Sequence, residues 1–82
     1  SPQKNYAIFF DYKIKKLSDY IFIKNILKKN TNISSVNDIE ITNRLYSGKI
    51  SYSGSLGELK EYLYSEGFIF SKNGSKFYLS KK

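Results

Sequence analysis

Seven consecutive residues, Tyr6 to Tyr12 (YAIFFDY), limit what this chain can fold into more than any other stretch. The run is dominated by aromatic and β-branched side chains, which favour an extended strand. Strand alternation puts Tyr6, Ile8, Phe10 and Tyr12 on one face and Ala7, Phe9 and Asp11 on the other. Both faces are largely apolar, so the segment is expected inside a sheet and not at its edge. At 82 residues the chain is expected to form one domain, 1–82. A domain of that size buries only about 60% of its unfolded surface. Eight Tyr and six Phe supply large apolar area per side chain, which suits a core built from few residues.

Beyond a basic connector, Lys13 to Lys16, the pattern predicts a helix capped by Ser18 and running to about Lys29. Asp19 in its first turn and Lys28 and Lys29 in its last complement the helix dipole. Tyr20, Ile23 and Leu27 follow helical spacing. Leu17, Ile21, Phe22 and Ile26 widen that apolar surface, which implies cover beyond one sheet face or an oligomer contact. A second strand is expected within 33–46, centred on Ile39-Glu40-Ile41-Thr42, with a corner at Tyr46-Ser47-Gly48. Lys49 to Ser53 alternates as a third strand. Ser55-Leu56-Gly57-Glu58 has capping-box form. It opens a second helix to about Glu66, with Leu56, Leu59, Tyr62 and Leu63 facing the sheet. Gly67 occupies the left-handed C-cap position. Asn73-Gly74, between two strand-like runs, signals a hairpin.

The order β-α-β-β-α-β(β) predicts an α+β fold of the ferredoxin-like kind, an antiparallel sheet with two helices on one face. Right-handed crossovers would place the first and third strands centrally and leave the opposite sheet face uncovered.

Chemistry is harder to find. The chain has no His and no Cys, so the commonest general base and the thiolate ligands are missing. Two carboxylate pairs, Glu58/Glu61 and Asp38/Glu40, have suitable spacing, but Glu58 is claimed by a helix cap. The glycines form no phosphate loop. No enzyme activity, cofactor or metal is therefore expected. No run reaches the roughly 20 apolar residues of a membrane helix. Beginning Ser1-Pro2 without any Met, the chain is expected to be a piece of something longer.

Net charge is +7, with basic ends and a mildly acidic middle, and 13 of the 14 basic residues are Lys. Lys13, Lys15 and Lys49, together with Tyr6, Phe10, Tyr12 and Tyr52, form a candidate binding surface. Such a set would suit single-stranded nucleic acid, with rings for stacking and lysines for phosphates. The third strand, Gly48-Lys49-Ile50-Ser51-Tyr52-Ser53, lacks the Gly-aromatic run of RNA-recognition domains, and Asp11 is unfavourable beside a phosphate.

Metal-transport domains of this order carry Cys-x-x-Cys where this chain has Lys13-Ile14-Lys15-Lys16. Acylphosphatases carry an Arg there, whereas the one Arg here is Arg44. Leu17-Ser18-Asp19-Tyr20 with Ile23 and Leu27, Ile33-Ser34-Ser35-Val36, Tyr52-Ser53-Gly54-Ser55-Leu56 with Leu59 and Leu63, Gly67-Phe68 and the Gly74 hairpin form another pattern. Covering about residues 8–80, it resembles a C-terminal domain of uncharacterised proteobacterial envelope proteins, although the Lys-rich connector departs from it. That resemblance implies the fold and a periplasmic address, and it carries over no functional residue. The leading expectation is a non-catalytic protein-binding or assembly module of an envelope protein. It would bind a protein partner or itself through the exposed sheet face or an edge strand near Ile39–Thr42. Nucleic-acid binding is the alternative.

Overall fold

A computed structural model describes residues 4–82; residues 1–3, with the Ser1-Pro2 start, lie outside the described residues. The elements in chain order are β1 (Asn5–Lys13), α1 (Leu17–Lys29), β2 (Ile33–Ile41), β3 (Leu45–Ser53), α2 (Leu56–Ser65), β4 (Phe68–Asn73) and β5 (Lys76–Lys81). The class is α+β, as the alternation of periods implies.

The five strands lie in the order β2-β3-β1-β5-β4, which puts β1 in the middle. The antiparallel expectation holds for β1–β3, β2–β3 and β4–β5 but not for β1–β5, which are parallel through Phe10–Phe77, Asp11–Tyr78 and Tyr12–Leu79. The sheet is therefore mixed, and its strand order departs from the ferredoxin-like one. The cause is the C-terminal hairpin. Its second strand docks on β1, where the strand following α2 was expected, and β4 is displaced to the outer edge.

Ile8, Phe10 and Tyr12 of β1 share a buried layer with Tyr46, Ile50 and Tyr52 of β3, Phe68 and Phe70 of β4 and Leu79 of β5. Ile23, Ile26 and Leu27 of α1 and Leu59 and Leu63 of α2 close the same layer. Both helices thus cover one face of the sheet. Each fully buried side chain of this kind contributes about 1.5–3 kcal/mol. Phe10 and Tyr46 meet edge to face with centroids 5.3 Å apart, as do Tyr12 and Phe68 at 5.7 Å.

Local signals explain most boundaries. Ser55 caps α2, its hydroxyl oxygen accepting from the Glu58 N–H at 3.0 Å. Gly67 follows the last turn with φ +97°, a left-handed angle that suits glycine. α1 starts two residues earlier than Ser18 implies. Its cap is Lys16, whose N–H donates to the Asp19 carboxylate at 3.2 Å while its carbonyl accepts from the Asp19 N–H at 3.0 Å.

The β2–β3 corner is not Tyr46-Ser47-Gly48. The chain reverses at Thr42–Leu45, where Thr42 Oγ1 accepts from the N–H groups of Arg44 (3.1 Å) and Leu45 (2.9 Å). Gly48 instead lies inside β3 opposite Phe10, and a Cβ there would stand 2.8 Å from the Phe10 ring. Its glycine signals a close approach, not a turn. In the β4–β5 hairpin, Asn73 pairs with Lys76, so the central turn residues are Gly74 and Ser75. Gly74 takes φ +66°, and among the described residues no non-glycine residue has positive φ. That matches a turn with glycine at its first central position.

Candidate functional site

The seven residues of the expected binding surface do not form one. Phe10, Tyr12 and Tyr52 are only 1–2% exposed and lie under the helices. Tyr6 is half-buried against the same core. None of these three buried rings can stack on a ligand, and Tyr52 uses its hydroxyl to donate to the Ser55 carbonyl at 2.9 Å. Lys13 and Lys15 are exposed and lie together at the end of β1, while Lys49 sits apart on the uncovered sheet face. The error is one residue of parity. β1 is apolar on both faces, and the helices cover the Phe10 face.

The uncovered face carries the alternate residues. Phe9 is 48% exposed there, with Tyr78 and Ile69 also exposed. Phe9 pairs directly with Lys49, which pairs in turn with Asn37. Asp11 occupies the next open-face position on β1. It accepts from the Ser47 hydroxyl at 2.6 Å and from Lys76 Nζ at 3.0 Å.

At one end of the sheet the strand termini leave two adjoining surface grooves that share Lys13 and Lys15. One, of about 440 Å³, adds Asp11, Asp19, Tyr78 and Lys81. The other, of about 470 Å³, adds Asn43 and Arg44. Arg44 belongs to a turn remote from the connector in sequence, yet the Ile14 N–H donates to its carbonyl at 2.9 Å. Arg44 comes beside Lys13 through the β1–β3 register and Lys81 through the β1–β5 pairing, so sequence reasoning missed both. Asp19 is neutralised in place. The N–H of Lys15 and burial act in opposite directions on it, and that N–H with the Lys16 N–H and Lys81 holds its carboxyl below the usual range.

Asp38 anchors a polar cluster at the solvent margin of the helix side. It accepts from Tyr46 Oη (2.6 Å), Tyr20 Oη (2.8 Å) and Lys24 Nζ (2.8 Å). Burial alone would raise its pKa, but these three donors outweigh burial and lower it. Burial, reinforced by Asp38, pushes the Tyr46 hydroxyl far above its ordinary value. The hydrogen bond to Asp38 raises Lys24. The expected pairing of Asp38 with Glu40 fails, because the register shifts between them. Asp38 stands opposite Gly48 on the covered face and Glu40 opposite Ser47 on the open face. Glu58 and Glu61 are both exposed on α2, where Glu58 accepts from the Ser55 hydroxyl at 3.1 Å.

The Asp38 cluster ties α1 to β2, and both elements carry exposed aliphatic side chains. Leu17 and Ile21 lie one helical turn apart on α1, 60% and 52% exposed. Ile39 and Ile41 on β2 are 60% and 41% exposed. β2 is an outer strand, so among the described residues one side of its backbone has no partner strand. Among the described residues no helix is long and apolar enough to cross a membrane.

Comparison with known proteins returns no match among family models, curated proteins or solved structures.

Proposed function

We propose that this chain is a non-catalytic protein-binding or assembly module that docks along the free edge of β2 and the flank of α1 beside it. A second copy of the chain is the occupant to which we commit. The reading is supported by one placement: Leu17, Ile21, Ile39 and Ile41 exposed on two elements tied together through Asp38, one of them the outer strand β2. Apolar side chains grouped at a strand edge favour cover by another chain. The β2 sequence suits antiparallel pairing with itself. Centred on Asn37, such pairing sets Ile33 opposite Ile41, Ser34 opposite Glu40 and Val36 opposite Asp38, so no like charges meet. The bulges at Ile33/Ser35 and Asp38/Glu40 discourage indiscriminate edge pairing and leave room for a specific one.

In this reading the fold is a ferredoxin-like arrangement with a C-terminal hairpin inserted beside β1. Asp19 and Asp38, the carboxylates most enclosed by donors, serve the α1 cap and the α1–β2 tie, which suits a scaffold better than acid–base work.

Sedimentation velocity across a concentration series tests the proposal. The chain should dimerise with Kd of about 1–100 μM, a range set by a modest two-fold interface. Ile39→Asp should abolish the dimer and leave the circular-dichroism spectrum unchanged. A parent chain that stays monomeric at millimolar concentration contradicts the proposal.

A further inference from the structure

The open face of the sheet carries a row of side chains, of which only Asn37 lies on the strand whose backbone edge the proposed β2 interface uses. Asn37 pairs with Lys49, Lys49 with Phe9, and Lys76 with Asn73. Lys76 immediately precedes Phe77, the β5 partner of Phe10, and so stands on the other side of Phe9. One line across all five strands therefore reads amide, ammonium, phenyl ring, ammonium, amide. At a strand spacing of about 4.8 Å it spans about 19 Å, with the lysine positions about 10 Å apart. No carboxylate stands in the row itself, but the Asp11 carboxylate beside it pairs with Lys76 Nζ at 3.0 Å, so a phosphate at Lys76 would replace that partner. Asp11 and Glu40 lie in the neighbouring row, where Asp11 is held by Ser47 and Lys76.

We propose that single-stranded nucleic acid crosses the open sheet face along Asn37, Lys49, Phe9, Lys76 and Asn73, with a base stacked on Phe9 and its flanking phosphates on the two lysines. Charge complementarity carries the choice of occupant. The chain has net charge +7, and beyond the neighbouring row of Asp11, Ser47 and Glu40 the end of β1 carries the basic grooves of Lys13, Lys15 and Arg44. A flat ring between two ammonium groups matches the alternation of base and phosphate, and every base offers a face to stack. The serines on either side, Ser47 and Ser51 on β3 and Ser71 on β4, suit a hydrogen-bonding ligand and not acyl chains. Acidic peptides lack the stacking group. The Asn37 and Asn73 amides can donate to and accept from base edges.

The test is fluorescence anisotropy with a labelled oligothymidylate of about twelve nucleotides, a length within the usual range of single-strand sites. Binding should weaken by about sevenfold between about 50 and 200 mM salt, as release from two phosphates requires. Phe9→Ala should weaken it by about tenfold and Phe9→Tyr should preserve it. Lys49→Ala should reduce both affinity and salt dependence, while Lys60→Ala on α2 should change neither. Ile39→Asp, which breaks the β2 interface, should leave oligonucleotide binding intact, so the two proposals fail separately. Absence of salt-sensitive binding overturns the inference. So does binding unaffected by Phe9→Ala, and so does binding to phosphatidylglycerol vesicles without binding to the oligonucleotide.

Discussion

Phe9 and Phe10 are the same residue type at adjacent positions of one strand, yet one is 48% exposed and the other 1%. Phe10 packs edge-on to Tyr46 and over Gly48, beneath both helices. Phe9 stands on the other side of the sheet with Lys49 as its partner. β1 supplies apolar character to both faces, but only one is covered. The face of a residue, set by the pleat and by its cross-strand neighbours, therefore outweighs its identity in deciding whether it is core or surface.

Substitutions can break or sharpen that contrast. Phe10→Ala should cost the most, about 3–5 kcal/mol, because it leaves a cavity in a layer with no slack. In a domain of thin margins this approaches global unfolding, and urea denaturation with far-ultraviolet circular dichroism would show it. Tyr46→Phe keeps the ring but removes a 2.6 Å donor from Asp38. A lost hydrogen bond to a charged group should lower the unfolding free energy by about 1.5–3 kcal/mol in the same assay. Gly48→Ala should cost about 1–3 kcal/mol, since the new methyl meets the Phe10 ring. An equal loss in a Phe10→Leu background would show that the ring is not the obstacle.

The covered face should also govern the pH response. Asp19 and Asp38 both titrate below their ordinary value. Their contribution is complete above the unfolded carboxylate pKa of about 3.9 and is lost as pH falls through the lower folded values. Tyr46 is shifted up, so its contribution is complete below the unfolded value of about 10 and is lost as pH rises towards the folded one. Urea midpoints should therefore be flat between about pH 5 and 9 and fall on both sides. Asp38→Asn should flatten the acid limb. Phe9→Ala should have the smallest effect on stability, within about 0.5 kcal/mol, as for other surface positions.

Much of this architecture is legible in the residues, and the gaps have physical causes. The central position of β1, the Ser55 cap, the Gly67 terminus and the C-terminal hairpin are local signals and can be read locally. Gly48 misleads because glycine marks both turns and close approaches, and only the Phe10 ring across the sheet distinguishes them. The parallel β1–β5 pairing depends on where a hairpin lands, which no local pattern encodes. The rings expected at the binding surface stand one residue of parity away from the solvent side. A usable signal existed in β3, where Tyr46, Ile50 and Tyr52 alternate with Ser47, Lys49 and Ser51. The polar set marks the solvent side, and antiparallel pairing then assigns Phe9 to it. Arg44 and Lys81 join Lys13 and Lys15 only through tertiary structure.

The contrast between the faces of β1 can be measured directly because the chain contains no cysteine. Ala7→Cys and Ile8→Cys place single thiols on its two sides, to be titrated with a chromogenic disulfide reagent under native conditions. Position 7 should react at the rate of a free exposed thiol, and position 8 only as fast as the domain unfolds. Comparable rates at the two positions, whether both fast or both slow, would contradict a sheet covered on one side alone.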